Sequence, residues 1–300
     1  MTFSIFKKIL PPIRNLMLCL SLCLMSTQHM KAEKIDFSDL TIIVNSCDKY
    51  EELWQPFFKL LLKHWPALSD GNIPIILITN GKQFDHPNVS VFYNKNEKTW
   101  SETFMKALEQ VKTKYILYLQ DDYFMTDINV QRLSDILKIM KQHNAAYVQL
   151  YGTTNEPKKK PVPGIDNLAY KNKFEEYRAA LQAAFWEVNV FKHLLNVDEN
   201  IWHFEVFGST RSQGIFAPFM TITADPPLSY LNMAAQGHLL PEYLKTIKEK
   251  EGIAWETKLP VYSPYSLSCI WRFHIKLYLS TLYWDYLIPL KNYLVRTFKL

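Results

Sequence analysis

Residues 115–124 (YILYLQDDYF) form an apolar and aromatic run that stops at two adjacent carboxylates, Asp121 and Asp122. Only a few residues precede the acids, and a helical pattern ending at residues 112–114 leads into them. The run therefore predicts a buried strand of a parallel sheet rather than a helix. In open α/β sheets ligands bind beyond the carboxyl ends of the strands, so acids at that edge face a ligand rather than the core. Two neighbouring carboxylates repel unless water, a hydrogen-bond donor or a cation neutralises them, and a divalent ion on phosphate oxygens fits that need. The competing reading is that one of them caps the helix predicted over 127–143, for which Asp127 and Asn129 are better placed.

The rest of the chain repeats the strand-then-helix rhythm. Residues 41–48 (TIIVNSCD) read as a first strand, followed by a helix from Glu51 to a stop before Pro66. Residues 73–80 and 89–93 read as two further strands, and Ser101 opens a helix that returns to the acidic strand. After the helix over 127–143 come a strand over 145–151, a polar loop over 152–164, a strand over 181–186 that enters a helix over 189–195, and a charged helix over 241–252. Such alternation predicts an α/β protein with a doubly wound, mostly parallel sheet flanked by helices. No glycine-rich loop stands at any strand-to-helix turn, which argues against a dinucleotide site or a P-loop.

Composition bounds the possibilities. Three hundred residues with 48% apolar content support a substantial core, and a formal charge of +5 spread along the chain gives no nucleic-acid stripe. The exception is the lysine triplet 158–160, read as solvated surface or as a contact for phosphate or anionic lipid. Four cysteines, Cys19, Cys23, Cys47 and Cys269, show no metal-type spacing in the body of the chain. Residues 1–33 carry cations ahead of a short apolar run, the outline of a signal peptide, a short anchor or an upstream extension. Residues 268–300 are rich in aromatics and cations and are expected to form a helical appendage that packs on the domain or lies at a membrane surface. The catalytic domain is expected over 40–267.

Residues 202–205 (WHFE) place a lone carboxylate, Glu205, among large apolar groups. Desolvation there would raise its affinity for a proton, which suits a general base working near neutral pH. The alternative is a structural ion pair between Glu205 and Arg211.

In this order the features resemble bacterial GT-A type glycosyltransferases, the nucleotide-sugar-dependent kind of lipopolysaccharide and capsule gene clusters. The resemblance spans roughly residues 40–262. It rests on residues 45–50 (NSCDKY), the run 53–58 ahead of Trp65 and Pro66, Thr79-Asn80, Trp100-Ser101, residues 120–123 (QDDY), residues 182–186, residues 202–205 and Gly237-His238. It implies that Ser46, Asp48, Thr79, Asn80, Trp100, Gln120, Asp121, Gln182 and Trp186 hold the nucleotide sugar, and that Asp122 and His238 hold Mn²⁺ or Mg²⁺. It also implies that Glu205 removes the proton from an acceptor hydroxyl, with inversion at the sugar. Gln120-Asp121-Asp122 departs from the family's Asp-x-Asp spelling, so cation dependence is open. Trp186 and Trp202 are candidates for an apolar wall against a sugar face.

The implied partners are a nucleoside diphosphate sugar and a glycan or lipid-linked glycan acceptor. The implied location is the cytoplasm or the cytoplasmic face of the inner membrane, or outside it if residues 1–33 are a true signal. Two rival functions are an exported carbohydrate-binding or envelope protein and a glycoside hydrolase using an acid and base pair.

Overall fold

The computed structural model describes residues 35–96, 98–151, 159–235 and 237–262. The chain divides into two units, Met1–Phe37 and Ser38–Leu300. The signal-like stretch over 1–33 and the aromatic segment over 268–300 lie outside the described residues. The sheet and its helices belong to the second unit.

Four strands run parallel: β1 (Leu40–Asn45), β2 (Ile75–Thr79), β3 (Ser90–Tyr93) and β4 (Tyr115–Gln120). β1 and β2 are buried along their whole length, as expected of strands covered on both faces, and this is why their sequences read as unbroken apolar runs. The sheet continues through β6 (Tyr147–Gln149), β7 (Leu168–Tyr170), β8 (Ala184–Glu187) and β9 (Phe219–Ile222) in the order β3-β2-β1-β4-β8-β6-β9-β7. β8 runs antiparallel to both β4 and β6, while β6 and β9 are again parallel. This is the mixed, mostly parallel sheet that the sequence predicts, with helices α1 (Glu51–His64), α2 (Trp100–Gln110), α3 (Val130–Gln142), α4 (Val188–Leu194), α5 (Ile201–Ser212) and α6 (Pro241–Glu251) around it.

Register decides where function can sit. Asn45 pairs with Gln120 across β1 and β4, and with Ile78 across β1 and β2, so the carboxyl ends of three strands finish at one level. The acids that follow Gln120 therefore emerge at that edge. They do not cap a helix: after them the chain turns back as β5 (Tyr123–Ile128), paired antiparallel with β10 (Leu228–Asn232). Helix α3 starts at Val130, later than the helix expected from residue 127, because Asp127 is committed to β5. Its N-cap is Asn129, whose side chain accepts from the Arg132 N–H at 2.9 Å. A short hairpin, β11 (Ala234–Ala235) and β12 (His238–Leu239), follows the ribbon.

Trp186 corrects one expectation. Its ring is fully buried in the core, stacked on Phe191 with centroids 4.3 Å apart and packed on Tyr147 at 4.3 Å. It pairs in the sheet with Ile116 and Tyr147. It stands four residues beyond Gln182, and β8 has by then carried the chain into the core, so Trp186 does not line the cleft.

Candidate active site

The cleft opens at the carboxyl edge of β1, β2 and β4, with a volume of about 810 Å³. Ser46, Thr79, Asn80, Trp100, Gln120, Asp121, Asp122, Gln182 and Glu205 all line it. Elements far apart in the sequence thus meet where the strand ends predicted.

Asp121 is buried at the cleft floor and held by donors. Its Oδ2 accepts from the Ser46 hydroxyl and from the Trp54 indole N–H at 3.2 Å, and the same N–H lies 2.6 Å from Ser46 Oγ. Burial, and then the neighbouring Asp122, push its proton affinity well above the usual carboxylate range, against the pull of these donors. Asp122 differs. Its backbone carbonyl accepts from the Met233 N–H at 2.7 Å, fixing the start of the ribbon. With the Asn232 amide turned so that its nitrogen faces the acid, that nitrogen donates to Asp122 Oδ2 at 3.2 Å, whereas Asp122 Oδ1 is buried with no hydrogen-bond partner. Burial lifts this carboxyl to about 7. A buried carboxylate oxygen with no partner is uncommon in folded proteins.

Glu205 faces the same space from α5. Asn200 caps that helix through its side chain, accepting from the His203 N–H at 2.9 Å, and Phe204 anchors it in the core. Glu205, the next residue, reaches the cleft, where its Oε1 accepts from the Leu181 N–H at 2.8 Å. The Leu181 carbonyl accepts in turn from Gln120 Nε2 at 2.7 Å, so the backbone of one residue joins the acid-bearing strand to the glutamate. Burial raises the proton affinity of Glu205, opposed by the Leu181 hydrogen bond. The structural pair with Arg211 does not form. Arg211 makes a two-point contact with Glu199, at 2.6 Å for each nitrogen, and also donates to the Leu194 carbonyl.

Other expected residues brace the walls of the cleft. The Asp48 carboxylate accepts from the N–H groups of Asn80 at 3.0 Å, Gly81 at 3.1 Å and Lys82 at 3.1 Å, while Asn80 Oδ1 accepts from the Asp48 N–H at 3.1 Å. This box ties the turn after β1 to the turn after β2. Trp100 lines the cleft and donates its indole N–H to Asn45 Oδ1 at 2.8 Å, with its ring stacked on Phe104. Trp202, on α5, is 69% exposed at the cleft mouth, the one member of the expected aromatic wall that can meet a ligand. His238 lies half-buried on β12, and it is the adjacent Gly237 that lines the cleft. Among the described residues no three His, Cys, Asp or Glu side chains come together as a ligand set.

Sequence reading missed Lys49, Tyr50 and Tyr123, all lining the cleft. Burial, then the charge of Asp122, pushes the Tyr50 phenol up to about 12, so it stays a donor. Gly237 has φ +85°, and a Cβ there would fall 1.9 Å from Lys49 Nζ. Gly237→Ala is expected to cost about 1–2 kcal/mol for the left-handed backbone. It also evicts the Lys49 ammonium from its place, so thermal unfolding should shift down. An unchanged melting temperature would refute the account.

No protein-family model matches the sequence, and no curated protein matches it. Among solved structures the chain is similar to TarS 1–349 of S. aureus, with a TM-score of 0.46 and 10% identity over 64% of this chain and 59% of that one. It is similar to the mannosyltransferase PcManGT of Pyrobaculum calidifontis, solved in complex with GDP-Man and Mn²⁺, with a TM-score of 0.46 and 10% identity over 66% and 58%. It is also similar to TarS 1–349 in complex with UDP, with a TM-score of 0.40 and 10% identity over 63% and 61%. In each case the chain spans less than two thirds of the other protein's length.

Proposed function

We propose that the chain is a GT-A type glycosyltransferase that moves a sugar from a nucleoside diphosphate to a hydroxyl of a surface glycan with inversion. One observation carries the reading: a cleft at the carboxyl edge of parallel strands is lined both by the Asp121–Asp122 pair and by a desolvated glutamate, Glu205. The division of labour follows from chemistry. The acceptor oxygen attacks the anomeric carbon, the bond from that carbon to the diphosphate oxygen breaks, and its electron pair leaves with the diphosphate. The acceptor proton passes to the Glu205 carboxylate. Its raised proton affinity makes it a better base than an ordinary exposed glutamate at the same pH.

On the floor, Asp121 is fixed by Ser46 and Trp54 and serves to position its neighbour. The partnerless Oδ1 of Asp122 suits a divalent cation whose remaining ligands come from diphosphate oxygens. Such an ion would stabilise charge on the leaving group. Lys49, which lines the same cleft, supplies a cation of the protein's own for that purpose.

The test is calorimetric titration of the full chain with UDP, GDP, ADP, CDP and dTDP, with and without Mn²⁺, beside Asp122→Ala. One nucleotide should bind selectively, and the substitution should weaken it at least tenfold. Absence of binding by every nucleotide under both conditions would sink the reading, while binding that needs Asp122 but ignores Mn²⁺ would remove the cation alone.

A further inference from the structure

A second cavity of about 760 Å³ lies behind Glu205. Glu205 and Gln182 line both cavities, so the candidate base stands at their common wall. Two aromatic side chains line this second space and remain open to solvent, Phe174 at 59% and Tyr177 at 38% exposure. Single exposed aromatics are ordinary on protein surfaces; here two line one cavity beside a candidate catalytic group.

The backbone supplies an independent sign. Tyr177 has φ +49°, a left-handed conformation that a bulky residue adopts only when its surroundings impose it, and such residues gather at ligand clamps. The constraint is visible: the buried Lys171 ammonium donates to the Tyr177 carbonyl at 3.0 Å. Phe174 sits in a tight turn closed by the Asn172 N–H donating to Glu175 Oε2 at 3.0 Å. Both rings are thus presented by locally fixed backbone.

The polar groups around them are organised as well. Lys171 donates to Gln149 Oε1 at 2.7 Å, and Gln149 Nε2 donates to Gln182 Oε1 at 2.9 Å. With its oxygen engaged, Gln182 keeps its amide nitrogen as the donor at the common wall. Lys159 and Lys171 share Glu175, at 2.8 Å and 3.3 Å, and Glu176 lines the same cavity, so the two ammoniums face two carboxylates besides Glu205. Apolar ring faces beside neutralised polar groups suit a neutral saccharide, whose C–H faces pack on aromatics while its hydroxyls take hydrogen bonds.

We infer that this second cavity is the acceptor subsite, with Phe174 and Tyr177 as the platform for a neutral sugar whose hydroxyl reaches Glu205. The inference rests on the transferase reading and adds the acceptor's chemistry and place. Saturation-transfer NMR on the full chain with cellotetraose, chitotetraose and mannotetraose as probes tests it. At least one probe should bind, at least tenfold more weakly in Phe174→Ala and in Tyr177→Gly, and equally well in Asp122→Ala. Tyr177→Gly keeps the left-handed backbone and removes only the ring. Binding indifferent to both ring substitutions, or no binding of any probe, would overturn the inference. The nucleotide titration above separates the two levels: nucleotide without saccharide binding leaves the transferase and removes this subsite. Saccharide without nucleotide binding leaves a carbohydrate site that is no acceptor subsite and overturns both.

Discussion

Glu205→Gln is expected to lower the turnover of sugar transfer by about 10³-fold, within the range of 10²–10⁴ that general base catalysis contributes, and to leave nucleotide affinity unchanged. The substitution is nearly isosteric, and the glutamine oxygen can still accept from the Leu181 N–H that Glu205 Oε1 now engages at 2.8 Å. The bridge from Gln120 through the Leu181 backbone therefore survives, and so does the shape of the cleft. Only the capacity to take a proton is lost. Because burial raises the proton affinity of Glu205, the acid limb of the kcat/KM profile should lie above the ordinary glutamate value of 4.5 and should vanish in the variant. A variant that retains near-full turnover, or that loses nucleotide affinity in proportion to turnover, would remove Glu205 from the role of base. Unchanged circular dichroism and melting temperature serve as the control.

The parts of this site that were legible in the sequence are those set by local pattern. The acids after residue 120 and the polar pairs after β1 and β2 are visible because a buried strand ends where its apolar run ends, and strand ends in parallel sheets are where ligands bind. Glu205 was legible as a carboxylate out of place among apolar neighbours. The failure at Trp186 arises because sequence distance does not give depth in the sheet. Gln182 and Trp186 are near in sequence, yet one lines the cleft and the other is core, because β8 carries the chain inward between them. β8 itself runs against its neighbours on both sides, and no residue pattern within it states a direction. Lys49, Phe174 and Tyr177 were missed because their placement depends on turns, and on partners such as Gly237 and Lys171 that are distant or chemically ordinary in the sequence.

In the protein without ligands, Asp122→Asn is expected to raise stability at pH 8 and to leave it nearly unchanged at pH 4. Burial lifts the folded-state carboxyl from 3.8 to about 7. Between those two values the folded chain keeps a proton that the unfolded chain has already lost, so stability falls as pH rises through this window and levels off above it. At about 1.4 kcal/mol per pH unit the loss is at most about 4 kcal/mol, and relaxation or water entry will reduce it. Asparagine carries no such titration, and removing the charge also relieves its repulsion of the buried Asp121. The difference in unfolding free energy between variant and native chain should therefore grow from pH 4 to pH 7 and then hold steady, as read from urea midpoints in chelator-treated samples. A constant difference across the range, or a variant less stable at pH 8, would show that the two acids are comfortable in the empty cleft. Such strain has a use. A carboxylate pair kept costly in the empty site gains most from whatever neutralises it, so the free energy given up in folding strengthens binding of a cation or another donor at the floor of the cleft. Adding Mn²⁺ should then stabilise the native chain at pH 8 more than it stabilises Asp122→Asn, a measurement that needs no substrate and no turnover.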